Sequence, residues 1–191
     1  MTRAQLVDGW RIDVTSRPGV PRILSQASIA RVVATALRAA GAPNPASLSV
    51  LLVTDGEIAG LNEAHLGHQG PTDVLSFPLL SAGAFPAHAS SPRGSSGPAG
   101  DERRAAPAPF VLPPRATPHL GDIALSVERA VAQAAEGRGG QAGDRTWAAQ
   151  DEVRLLLTHG TLHICGWDHA DPAEERAMRA LERELLGVPT T

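Results

Sequence analysis

The chain predicts an α/β (α+β) fold: a small four-stranded mixed sheet packed with helices, and a metal site at the end of a long helix. Three observations carry this. Short runs rich in branched apolar residues alternate with longer stretches whose apolar residues recur at helical spacing. Glycine and proline fall between them, where turns belong. Three of the seven histidines lie within eleven residues at the end of the longest helical stretch.

Taken in order, Arg11, Ile12, Asp13 and Val14 alternate polar and apolar and read as a first strand. Ser25 caps a helix to about Ala40, with Ile29, Val32, Val33, Ala36 and Leu37 as its apolar stripe. Gly41, Pro43 and Pro45 end it. Residues 48–53 form the second strand. Asp55 opens a short helix that carries Ile58 and Leu61 and leads to Asn62, and a Gly/Pro-rich loop then feeds the strand 74–78. Residues 81–118 turn to Ala, Pro, Gly and Ser with little periodicity, which predicts a disordered insertion. A strand over 120–126 runs into a helix over 127–136. Asp144 caps the long helix, from Arg145 to Ile164, buried through Val153, Leu156, Leu157 and Leu162. Asp171 and Pro172 start the last helix, whose inward residues are Ala177, Met178, Leu181, Leu185 and Leu186.

At 191 residues and 42% hydrophobic content the chain suits one globular domain, residues 1–191, large enough for a proper core. No apolar run approaches the roughly 20 residues needed to span a bilayer, so no membrane partner is expected. The N-terminal residues carry no hydrophobic signal core and the single cysteine permits no internal disulfide, which fits a cytoplasmic protein. The net charge of −3 does not advertise nucleic-acid binding. Any nucleic-acid partner would have to be recognised at a local site rather than through overall charge.

His159 and His163 are four residues apart, so on a helix they stack on one face. Gly166 follows where the helix must stop, and the chain can then double back to present His169 to the same point. Three imidazoles with an open fourth position describe a catalytic Zn2+ site, with a metal-bound water as the reacting group. Cys165, two residues beyond His163, is rotated about 200° from the metal face and reads as a small buried hydrophobe. The spacing matches the zinc-protease pattern H-E-x-x-H-x-x-G-x-x-H at every position except one: Gly160 stands where the general-base glutamate belongs. That absence argues against ordinary peptide hydrolysis.

Three separated segments together resemble the YbeY family of endoribonucleases, which act as rRNA maturation factors. They are the histidine motif from His159 to His169, the run Gly70-Pro71-Thr72-Asp73-Val74-Leu75-Ser76-Phe77-Pro78, and the run Leu120-Gly121-Asp122-Ile123-Ala124-Leu125-Ser126. The resemblance covers about residues 48–187 apart from the insertion. It implies a zinc-dependent hydrolase that cleaves single-stranded RNA in maturation of the small ribosomal subunit and in ribosome quality control. It also implies His159, His163 and His169 as the metal ligands. Leu66 stands where the family carries an arginine thought to engage phosphate, and leucine can do no electrostatic work there. His65, His68 and Arg154 are the candidate replacements, His65 and His68 being the candidate substrate-binding residues. Asp168 is the candidate for orienting a ligand or capping the final turn. Ser76 and Thr72 are further candidates to line the groove through their hydroxyls, although ordinary strand hydrogen bonding is the stronger reading for both, and Trp167 reads as core rather than as a platform for stacking a base. Leu66 and the acidic balance also admit a ribosome-assembly factor whose metal is mainly architectural.

Overall fold

The structure, a computed structural model, describes residues 2–87, 117–137, 147–169 and 171–188. Its strands are β1 (Thr2–Val7), β2 (Trp10–Ser16), β3 (Ala46–Val53), β4 (Val74–Pro78) and β5 (His119–Ser126). Its helices are α1 (Gln26–Ala39), α2 (Asp55–Leu66), α3 (Val127–Glu136), α4 (Ala149–Ile164) and α5 (Pro172–Leu186), with a single 3-10 turn at Ala82–Ala84. The strands form one mixed sheet in the order β1-β2-β3-β5-β4. β2, β3 and β5 run parallel, and β1 and β4 are the antiparallel edges.

The expected α+β class holds, but the sheet has five strands rather than four. The missed strand is β1, paired antiparallel with β2 across the Asp8-Gly9 turn. It is an edge strand whose Leu6 is 79% exposed, so it lacks the buried alternation that identified the others.

The sheet separates two layers. On one face Ile12, Val14, Leu48, Val50, Ile123 and Leu125 form the main core with residues of α1, α3 and α4. On the other, Val53, Leu75 and Ala124 pack with Ile58 of α2, with Leu61 and Phe77 at the margin. The side-chain alternation of β4 is therefore decisive: Leu75 and Phe77 face α2, and Val74 and Ser76 face α4.

The caps explain most boundaries. The Ser25 hydroxyl accepts from the Ser28 N–H at 3.1 Å, and the Asp171 carboxylate accepts from Ala173 and Glu174 ahead of Pro172. The cap of α2 is Thr54, one residue before the expected Asp55. α4 starts at Ala149, not at Arg145: the Asp151 carboxylate reaches back to the Ala148 N–H, and the Trp147 indole donates to Glu152 at 2.6 Å. The expected cap, Asp144, lies outside the described residues, as do residues 88–116 of the expected insertion.

The first residues of that expected insertion, 81–87, lie among the described ones. Residues 81–84, 86 and 87 are exposed, but Phe85 between them is 3% exposed within the main core. A single aromatic among small residues left no periodic signal, yet its burial pins the segment. Phe85→Ala is expected to cost about 3–5 kcal/mol and to lower the melting temperature by about 10 °C, read by thermal denaturation. An unchanged melting temperature would place Phe85 outside the core.

Candidate metal centre

The last two turns of α4 carry His159 and His163 on one face, supported from behind by Leu157, Leu162 and Ile164, all fully buried. The helix then stops in a Schellman turn. The Gly166 N–H donates to the His163 carbonyl at 3.0 Å and the Trp167 N–H to the Leu162 carbonyl at 3.1 Å. Gly166 has φ +85°, and a Cβ there would lie 2.9 Å from that of Ala82, so both backbone conformation and close approach require glycine. The chain reverses as expected and returns His169 to the other two.

One ring nitrogen from each of His159, His163 and His169 lies within 4.8 Å of the others. The Nε2 atoms of His159 and His163 are 3.1 Å apart. Two imidazoles on one tetrahedral zinc ion would hold their nitrogens about 3.3 Å apart, so this pair is already at ligand spacing. His169 is exposed and free to close on them, while the other two are half-buried. The three side chains therefore form a group that could hold one metal ion with an open side.

The opposite ring nitrogens are committed elsewhere. His159 Nδ1 lies 2.8 Å from Oε1 of Glu182, which is 5% exposed on α5. His163 Nδ1 lies 2.9 Å from the Trp167 carbonyl, so the turn that ends the helix also orients this ring. Each partner accepts a hydrogen bond, which places the proton on Nδ1 and leaves the Nε2 lone pair pointing into the cluster. Burial, and then the neighbouring His159 and His169 rings, lower the pKa of His163 to about 4. It is therefore neutral, and a competent ligand, at ordinary pH. Cys165 is 1% exposed and burial pushes its thiol up to about 12, the behaviour of a packing residue.

Asp168 accepts from the His169 backbone N–H at 2.7 Å, while its carboxylate lies 3.8 Å from His169 Nδ1. The first contact shapes the loop; the second is too long for a hydrogen bond. Ser76 donates to the Gly160 carbonyl at 3.1 Å, and Thr72 to the Asp73 carboxylate at 3.3 Å. Trp167 packs against the main core, as expected. Asp122 pairs with His119 at 3.0 Å. Of the candidate substrate contacts, His65 lays its ring edge-on to Phe77 at 5.0 Å between centroids, which puts it on the α2 side of the sheet, opposite α4. His68 is exposed in the following loop, and Arg154 pairs with Asp151 along α4.

Beside the triad runs a groove of about 300 Å³ whose lining includes His159, His169, Asp73, Met178, Arg179 and Glu182. Arg179 and Glu182 were not foreseen, nor was Glu174, whose carboxylate accepts from the Asp168 N–H at 3.0 Å. The available signal was their spacing: 174, 178 and 182 form one helical stripe with Met178 at its centre.

A family model described as Endoribonuclease YbeY matches residues 15–188. The chain belongs to the YbeY endoribonuclease family. Proteins named Endoribonuclease YbeY align along most of their length. The one from Roseiflexus castenholzii is 34% identical over 178 residues, covering 93% of this chain and 91% of its own. The one from Thermobifida fusca is 37% identical over 179 residues, covering 92% and 91%. The one from Salinispora tropica is 40% identical over 159 residues, covering 83% and 84%.

Gly160 also has a structural account. A Cβ there would meet Ser76 Oγ at 3.0 Å, Val74 Cγ2 at 3.2 Å and Ile123 Cγ2 at 3.3 Å. Glycine lets α4 lie directly on β4 and β5. Gly160→Ala is expected to destabilise by about 1–3 kcal/mol, measured as a lower denaturant midpoint, and Gly160→Glu by more. A Gly160→Glu variant of wild-type stability would refute this close approach.

Proposed function

We propose that this protein is a cytoplasmic, zinc-dependent endoribonuclease that cleaves single-stranded RNA in maturation of the small-subunit rRNA and in ribosome quality control. The observation that carries the reading is the convergence of three imidazoles, in a chain of an endoribonuclease family, onto a point at the side of an open groove. His159, His163 and His169 are the ligands. Three neutral nitrogen donors with an open position suit zinc, and His163 is held neutral without help from high pH. When bound, such an ion polarises a phosphoryl oxygen and acidifies a water molecule. Among the described residues no helix is long and apolar enough to cross a membrane.

The protein's own residues supply binding and orientation. Glu182 and the Trp167 carbonyl hold two of the rings in place. Arg179, one turn of α5 before Glu182 and lining the same groove, is the side chain we assign to a substrate phosphate, in preference to His65 or His68. It supplies the cation that Leu66 does not, at the cost of loosening its ion pair with Glu175.

Two experiments test this. Pure protein is expected to cut single-stranded RNA, to lose that activity to a chelator and in His159→Ala, and to regain the first loss on adding zinc; cleavage that survives both treatments refutes the metal-dependent enzyme. Arg179→Gln is expected to raise KM about tenfold with kcat little changed, the loss of one charge-assisted contact. The salt dependence of RNA binding should fall by about 0.7 in log–log slope. An unchanged KM and slope would remove Arg179 from the substrate site.

A further inference from the structure

We propose that Glu182 and Glu174 are positioning residues of the metal centre, and that α5 docks on the protein through them. The inference rests on the reading of the three histidines as metal ligands and goes beyond it, because it assigns the assembly of the site to a helix that contributes no ligand.

The burial pattern of α5 carries the argument. Its buried residues are Glu174, Met178 and Glu182, at 3%, 2% and 5% exposure. Leu181, Leu185 and Leu186 of the same helix are left half-exposed. Turning two carboxylates inward and three leucines partly outward is unfavourable for a helix docked by the hydrophobic effect alone, since an unpaired buried carboxylate costs several kcal/mol. The orientation is accounted for by what the carboxylates bind. Glu182 takes Nδ1 of His159 at 2.8 Å, which selects the tautomer whose Nε2 lone pair faces His163 and His169. Glu174, two turns earlier, takes the Asp168 N–H at 3.0 Å, and Asp168 in turn takes the His169 N–H at 2.7 Å.

One helix thus fixes both halves of the site, the ring on α4 and the loop that returns the third ligand. Met178, between the two carboxylates, seats the helix in the groove wall. The coupling is reciprocal: an ion that needs the three rings together also favours the docked position of α5.

The test measures zinc affinity by competition with a chromophoric chelator, together with the metal-free melting temperature and the histidine ring-nitrogen NMR signals. Glu182→Gln keeps the size and a hydrogen-bonding group but removes the charge. It is expected to raise the zinc Kd about 10–100-fold and to shift the His159 Nδ1 signal, with the metal-free melting temperature little changed. Glu174→Gln leaves every ring contact intact and is expected to raise the Kd up to about tenfold. A Glu182→Gln protein with wild-type zinc affinity overturns the proposal, as does one that loses metal-free stability while its affinity and ring signal stay unchanged. If Glu182→Gln does not fold, Glu174→Gln decides, and a wild-type Kd there overturns the proposal. A wild-type protein that binds no zinc overturns the metal reading itself, an outcome distinct from the others.

Discussion

The arrangement depends on how α4 ends. Had the helix continued, His169 would lie about 9 Å further along the axis than His163 and about 240° around it, out of reach of the other two rings. The Schellman turn at Gly166 prevents this, and the same turn brings the Trp167 carbonyl onto Nδ1 of His163. Termination of the helix and orientation of the His163 ring are therefore one event. The turn in turn needs room, and Ala82 sits against Gly166 because Phe85 anchors that segment in the core. A stretch that looks like spacer in the sequence is part of the floor on which the site is built.

Electrostatics then decide what such a site can attract. The chain carries a net charge of −3, and the groove brings Asp73, Glu175 and Glu182 together with Arg179. That net charge supplies no overall positive potential to lead a polyanion here, and at physiological ionic strength fields fade within about 8 Å in any case. On the proposed reading, recognition of RNA is short-range, through an ion held by the three imidazoles and the Arg179 guanidinium that lines the same groove. On the same reading, the site would gain most of its attraction for phosphate when metallated, which would make loading and substrate binding interdependent.

What was legible in the sequence follows from what produces local signals. Ser25, Pro172 and Gly166 mark helix ends through backbone chemistry that depends on few neighbours, and those three ends fall where they were expected. The three histidines were legible because their spacing encodes a helix followed by a reversal. Features fixed by distant partners were not. β1 buries too little to show alternation, and Phe85 is a lone aromatic whose pocket is made by other segments. Glu174 and Glu182 read as surface residues because carboxylates are seldom buried; what buries them, the Asp168 N–H and the His159 ring, lies 6 and 23 residues away in the chain. The three histidines are visible in the chain, and only the fold shows what holds their rings.

Gly160 shows why this geometry leads away from peptide hydrolysis. Residue 160 lies about 100° around the helix from His159, and that direction leads into β4 and β5, where Ser76, Val74 and Ile123 wait within 3.3 Å of any Cβ. A glutamate there would not reach the open side of the triad; it would split α4 from the sheet. The missing base is thus a consequence of how α4 is docked, not the loss of one group from an otherwise protease-like centre. Asp73 is no ready substitute, since its carboxylate already accepts from the Val74 N–H, the Thr72 hydroxyl and the Gln133 amide. A substrate that carries its own nucleophile spares such a site from positioning an attacking water, although that hydroxyl must still give up its proton. An RNA phosphodiester, with a 2′-hydroxyl beside the phosphorus, meets that condition, and a peptide bond does not.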